Sequence, residues 1–303
     1  MARGRRLEGN GRDLIPISSL GRSLRSTLEM IKFSHTIFAL PFALLSAVLA
    51  ADGWAEPATI AKILLALVGA RSAAMAHNRL ADRSIDAANP RTASRAIPSG
   101  ALSVEFVRVF LILSVLVFLA AAASLNRLTL LLSPLALALL FAYAYMKRFT
   151  WLSHAVLGLC LALAPVGAWI AVRGDLSAVP VLLGLAVLFW TAGFDVIYAL
   201  QDEAHDRRVG LRSIPARWGT TRALWISAAL HALMVPLLLA AWKRSGGGPI
   251  FAAGIVATAA ALTYQHAIVR PGDLSRIDAA FFAANGFVSV ILAACGIADA
   301  LLR

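Results

Sequence analysis

Two short stretches of this chain carry the residue types best suited to chemistry. One reads Asn78-Arg79-Leu80-Ala81-Asp82-Arg83-Ser84-Ile85-Asp86, the other Tyr198-Ala199-Leu200-Gln201-Asp202-Glu203-Ala204-His205-Asp206. Each ends a long apolar run and sets two aspartates four residues apart. The same 120-residue offset relates Asp82 to Asp202 and Asp86 to Asp206. On a helix, positions i, i+4 and i+8 drift only about 40° per step. An uninterrupted helix would carry Asn78, Asp82 and Asp86 on one face. A second would carry Tyr198, Asp202 and Asp206, joined by Asp195 two turns earlier. Carboxylate and amide oxygens are hard ligands that suit magnesium, which completes its shell with water and substrate phosphate. Charge at the edge of a bilayer is costly unless a counter-ion meets it. The two matched pairs therefore point to one shared site in which Asp82, Asp86, Asp202 and Asp206 hold divalent metal against a phosphorylated ligand.

The nearby cations suit the same ligand. Arg83, Arg91 and Arg95 follow the first stretch, and Arg207, Arg208 and Arg212 follow the second. Guanidinium groups pair well with phosphate oxygens, although some of these residues serve topology alone. Arg71 lies seven residues before Asn78 inside an apolar run, so it points to the same face, toward a substrate anion or an aspartate. Lys147-Arg148 reads by itself as an interfacial anchor, and His35 as a structural histidine.

These residues need long apolar elements to position them. The chain has 303 residues, of which 60% are hydrophobic and 15% charged, and its mean hydropathy is +0.77. Such values belong to a polytopic membrane protein. A bilayer core takes about 20 apolar residues per helix. Nine candidate spans fall near 28–51, 58–80, 103–124, 128–146, 152–172, 178–200, 221–241, 249–268 and 278–301. Leu/Ala-rich runs without period-2 alternation exclude a barrel. The expected fold is an all-α, multi-pass bundle of about nine transmembrane helices. Residues 1–27 read as a basic cytosolic tail and 28–303 as one transmembrane domain.

The net charge of +12 suggests nucleic acid only until its distribution is considered. With the N-terminus in the cytoplasm, most lysines and arginines fall in inside segments, following the positive-inside rule. That topology places both aspartate stretches on the cytoplasmic side of the membrane. Cys160 and Cys295 both fall within spans and read as buried apolar residues. A weak internal repeat relates Arg95-Ala96-Ile97-Pro98 to Arg212-Ser213-Ile214-Pro215. Repeats and intramembrane charges also occur in transporters, so a transporter is the alternative from another class. Paired aspartates at helix ends, rather than at the midplane, weigh against it.

The two stretches resemble the motifs of the UbiA superfamily of intramembrane prenyltransferases. Asn78, Asp82 and Asp86 match its first motif, with Arg79 where a second acid is usual. Asp195, Tyr198, Ala199, Asp202 and Asp206 match its second. Arg91-Thr92, Arg95, Ile97 and Gly100 resemble the block that follows the first motif, Lys147-Arg148-Phe149-Thr150 resembles a diphosphate-associated block, and Arg71 falls where many members carry arginine. The resemblance implies transfer of a polyprenyl group from its diphosphate to an acceptor, commonly an aromatic ring. It implies magnesium and diphosphate at the four aspartates, with Asn78 and Lys147 at the phosphate end. It also makes the first metal's shell the least secure, because Arg79 removes a ligand. Members of this kind act on 4-hydroxybenzoate in quinone biosynthesis. Asn78-Arg79-Leu80-Ala81-Asp82 and the entry Ile31-Lys32-Phe33-Ser34-His35 also resemble the branch proposed to prenylate 1,4-dihydroxy-6-naphthoate for menaquinone. A haem- or lipid-modifying member would use the same diphosphate site. The implied partners are a polyprenyl diphosphate, a hydroxylated aromatic carboxylate held by Arg71 or another buried cation, and the lipid bilayer, with magnesium as cofactor.

Overall fold

The computed structural model describes residues 26–31 and 38–303. The basic tail through residue 25, Lys32 and His35 lie outside the described residues. A helical turn at 26–30 (α1) precedes the short apolar helix α2 (Leu40–Ala51). Long helices follow as α3 (Pro57–Ala81), α5 (Val104–Leu125), α6 (Arg127–Phe149), α7 (Ser153–Arg173), α8 (Ala178–Ala199), α10 (Ile214–Arg244), α11 (Pro249–Ile268) and α13 (Asn285–Leu302). Short helices α4 (Arg83–Ala88) and α9 (Glu203–Val209) follow α3 and α8, and α12 (Ile277–Ala279) precedes α13. Among the described residues, eight helical spans are long and apolar enough to cross a membrane. The middle of the first expected span falls partly outside the described residues, leaving α2 as a short apolar helix. The all-helical membrane bundle is as expected.

Helix termini follow local chemistry. Ser103, Asn126 and Ser213 accept the backbone N–H of Phe106, Thr129 and Ala216, capping α5, α6 and α10. Pro57, Pro215 and Pro249 occupy first-turn positions, where a missing N–H costs nothing. In lipid there is no hydrophobic drive between helices, so close packing and satisfied polar groups hold the bundle together. α8 is the most buried span and packs between α7 and α10. Small residues permit the closest approaches: a Cβ on Gly158 would collide with the Leu188 carbonyl, and one on Gly69 with the Phe118 backbone. The outward faces of α5 and α6 expose Ile112, Leu113, Leu116, Leu131 and Leu135, an apolar surface suited to lipid.

Three irregularities depart from straight spans, and two of them lie next to the aspartates. A short helical segment from Ile214 precedes the seventh expected span, and Gly219 breaks the helix between the two at φ 76°, ψ 168°. Positive φ is easy only for glycine, and it turns 214–218 away from the rest of α10. The last span begins with a π-helical turn at Ala280–Ala284. Asn285 holds that turn: its amide donates to Phe281 O at 2.9 Å, while its Oδ1 accepts from Trp190 Nε1 at 2.9 Å. The third irregularity is at the aspartates themselves.

Gly158→Ala should lower the detergent melting temperature by several degrees, because overpacking against a backbone carbonyl costs about 1–3 kcal/mol. Gly167→Ala, with no heavy atom within 4 Å of the added Cβ, should leave it unchanged. A melting series on the purified protein checks the contrast.

Candidate active site

Neither aspartate stretch is one continuous helix, which corrects the expected single face. α3 ends at Ala81, and Asp82 sits at φ −96°, ψ 6° before α4 begins. Asp202 ends the 3₁₀ turn Leu200–Asp202 at φ −101°, ψ 0°, before α9. The repeat extends to backbone geometry: in both stretches the first aspartate steps the chain through the same sparsely populated region. A carboxylate there faces the negative end of a helix dipole and must find a cation.

Cations from elsewhere in the chain supply that counter-charge. Arg148 Nη2 donates to Asp82 Oδ1 at 2.9 Å and to Ala81 O at 2.8 Å, so one guanidinium neutralises the carboxylate and satisfies a terminal carbonyl of α3. Asn78 Nδ2 donates to the other Asp82 oxygen at 3.1 Å. Burial pushes the Asp82 carboxyl above its ordinary range, and Arg148 pulls it back only in part. Asp86 lies between two arginines, with Arg95 Nη1 2.6 Å from Oδ1 and Arg79 Nη1 3.8 Å from Oδ2. In the second stretch, Arg91 binds both Asp202 oxygens, Nε at 2.8 Å and Nη2 at 2.5 Å. Its guanidinium also lies 5.8 Å over the Tyr198 ring. Desolvation alone would loosen the Arg91 proton, but the bonds and charge of Asp202 outweigh it and hold Arg91 more firmly protonated. Lys147 Nζ stands 3.7 Å from Asp206 Oδ2.

These pairs cross between the two stretches. Arg91, which follows the first, binds an aspartate of the second. The adjacent residues Lys147 and Arg148 divide between them, one to Asp206 and the other to Asp82. Arg212 secures that bridge: its backbone N–H donates to Lys147 O at 2.7 Å and its Nη1 to Phe149 O at 2.5 Å. Arg212 therefore positions the loop instead of meeting the aspartates. Arg83 does not join the site, because it is exposed and donates to Leu80 O at 2.9 Å. Arg71 lies two turns deeper on α3, partly buried, within Coulombic reach of Tyr143. Asp195, on α8, receives His154 Nδ1 at 2.7 Å. Below Tyr198, Phe281 of the π-turn stacks at 4.2 Å and packs with Phe194 and Phe38 into an aromatic wall.

Sequence reasoning missed four of these residues. Arg148 was hidden beside Lys147, and only adjacency to that lysine pointed to it. His154 and Tyr143 lie in spans of ordinary apolar composition and gave no signal. Arg79, expected only as a lost ligand, is a buried counter-charge to Asp86.

Among the described residues, no three His, Cys, Asp or Glu side chains converge tightly enough to hold a metal. The donor chemistry nonetheless fits a hard cation. Asp86 Oδ2 and Asp206 Oδ2 are both buried without a hydrogen-bond partner. Each is a carboxylate oxygen on the short helix that follows its span, with one cation at 3.7–3.8 Å. Asp82 and Asp202 would add further carboxylate oxygens, which here are paired with Arg148 and Arg91.

Comparison with known proteins identifies the family. The model of the UbiA prenyltransferase family matches residues 39–290. A 4-hydroxybenzoate octaprenyltransferase of Vibrio atlanticus is 31% identical over 251 residues, covering 82% of this chain and 88% of the relative. One from Yersinia pseudotuberculosis is 31% identical over 244 residues, covering 80% and 84%. Among solved structures, the apo UbiA homolog of Aeropyrum pernix K1 is 37% identical with a TM-score of 0.80, covering 88% of this chain and 98% of that one. The Archaeoglobus fulgidus UbiA homolog bound to DMAPP and Mg2+ shares the fold at 20% identity and a TM-score of 0.73, over 91% and 99%. The chain is a multi-pass membrane enzyme and belongs to the UbiA prenyltransferase family.

Proposed function

We propose that this protein transfers a polyprenyl group from polyprenyl diphosphate to the ring of 4-hydroxybenzoate. The observation that carries the reading is the crossing of counter-charges, in which five cations from three segments hold four aspartates at one end of the bundle. These are the two halves of a site for a metal-bound diphosphate, resting against each other. Arg91, Arg95, Lys147 and Arg148 would meet the phosphate oxygens of a bound diphosphate in place of the carboxylates. The carboxylates of Asp82, Asp86, Asp202 and Asp206, with the Asn78 amide, would hold magnesium. An A. fulgidus UbiA homolog bound to DMAPP and Mg2+ supports dependence on that metal. Magnesium supplies Lewis-acid stabilisation of the charge gathering on the leaving diphosphate.

The remaining steps belong to the chain's own groups. The cations that face the diphosphate stabilise it as the allylic C–O bond breaks. Tyr198 and Phe281 present aromatic faces below that point, where they exclude water and stabilise positive charge on the prenyl carbon. Arg71, two turns below, binds the acceptor's carboxylate. The ring carbon ortho to the hydroxyl attacks, and loss of its hydrogen restores aromaticity. The prenyl chain leaves between helices toward lipid. By the positive-inside pattern, the diphosphate end faces the cytoplasm of a bacterial inner membrane. Transporters set their charged site at the midplane, whereas here the charges cluster at helix ends.

Membranes containing the protein should convert labelled prenyl diphosphate and 4-hydroxybenzoate to product only when magnesium is present. Flux of substrate without turnover, or no product with either 4-hydroxybenzoate or 1,4-dihydroxy-6-naphthoate, contradicts the reading. Asp82→Ala and Asp202→Ala should each abolish product while the protein still inserts. Arg71→Ala should raise the acceptor KM by about 10-fold or more, the worth of one charged hydrogen-bonded pair. The same variant should leave the KM for prenyl diphosphate unchanged in steady-state assays.

A further inference from the structure

His154 is absent from both aspartate motifs, yet its ring is fully determined. It is the second residue of α7 and only 1% of its side chain is exposed. Nε2 accepts the backbone N–H of Ile214 at 3.3 Å, a first-turn donor of α10 that would otherwise go unsatisfied. With Nε2 accepting, the ring proton resides on Nδ1, which donates to Asp195 Oδ2 at 2.7 Å. The other Asp195 oxygen has no hydrogen-bond partner among the described residues, and 15% of the side chain remains accessible. The partly accessible carboxylate can take a further donor through that oxygen.

Its depth is informative. Asp195 lies seven residues before Asp202 and Arg71 eleven before Asp82, so Arg71 sits about 6 Å deeper than Asp195 relative to the paired aspartates. Tyr143 lies within Coulombic reach of both. The interior below the aspartates therefore carries a guanidinium and a carboxylate at different depths, complementary to a molecule with a carboxylate at one end and a hydroxyl at the other.

We propose that His154 is a positioning residue that aims Asp195, so that Asp195 accepts the hydroxyl hydrogen of the acceptor during transfer. This rests on the acceptor reading given above. As the allylic C–O bond breaks, its electron pair departs with diphosphate. The ring carbon ortho to the hydroxyl then bonds to the prenyl carbon, and the hydroxyl proton shifts to Asp195, leaving a neutral dienone. The ring carbon next gives its hydrogen to the departing diphosphate, and Asp195 returns its proton to the oxygen. One proton is released per transfer. His154 stays neutral and gains or loses nothing.

The test compares the full-length protein with His154→Leu and His154→Gln. The substrates are geranyl diphosphate with 4-hydroxybenzoate or 3-fluoro-4-hydroxybenzoate, the latter a more acidic phenol. Leucine should lower kcat on 4-hydroxybenzoate by at least about 30-fold, within the range of positioned acid–base catalysis. The KM for geranyl diphosphate should stay within about twofold, and the loss should shrink severalfold on the fluorinated acceptor, which needs less help to ionise. Glutamine, which keeps a donor toward Asp195, should recover most of the rate. A leucine variant as active as the parent overturns the proposal. So does an equal loss on both acceptors, or a loss that appears in the geranyl diphosphate KM. Failure of the unsubstituted protein on every acceptor overturns the function proposed above and this inference with it, whereas normal parent turnover beside an indifferent His154→Leu overturns this inference alone.

Discussion

Carboxylates at the C-terminal ends of membrane helices meet an unfavourable helix dipole and sit where water is scarce, so each must be neutralised. That constraint shapes the whole end of the bundle. Asp82 and Asp202 end α3 and the turn after α8, and each is answered by an arginine from a distant segment. Asp86 and Asp206 are buried more deeply, and their cations reach them less closely on one oxygen. The resulting network spans the loop after α4, the α6–α7 connection and both aspartate stretches. Removing one aspartate strands a cation as well as a ligand, so the site behaves as one electrostatic unit.

The irregular backbone serves that unit. Gly219 turns the start of α10, where Ile214 meets His154, while Arg212 just before it grips the Lys147–Phe149 segment. The π-turn at Ala280–Ala284 brings Phe281 onto Tyr198. Small residues in α7 and α8 let these helices approach closely enough for His154 to reach Asp195. The same packing that stabilises the bundle in lipid thus sets the depth at which charge is available inside it.

Much of this was legible in the sequence. The 120-residue offset between aspartate pairs announced a two-sided site, and apolar run length announced the helices. The resemblance to UbiA motifs named the chemistry that the family match then showed. What remained hidden were partners set by tertiary contact. Nothing in the order of residues says that Arg148 caps α3, because the two lie 66 residues apart. His154 and Asp195 are separated by 41 residues, and neither has a periodic signature. The uninterrupted aspartate helix was a reasonable reading of i, i+4 spacing. It failed because each first aspartate adopts a non-helical conformation that directs its carboxylate to an outside cation.

The central claim is that cations guard the aspartates until diphosphate takes them away, so metal and diphosphate must bind as a linked pair. Linkage requires that each raise the other's affinity by the same factor. Manganese binding, followed by electron paramagnetic resonance on the purified protein with and without a non-hydrolysable geranyl diphosphate analogue, measures that factor directly. The account predicts weak manganese binding alone and binding at least about 10-fold tighter with the analogue, a coupling of about 1.4 kcal/mol. Equal manganese affinity in the two conditions would contradict it.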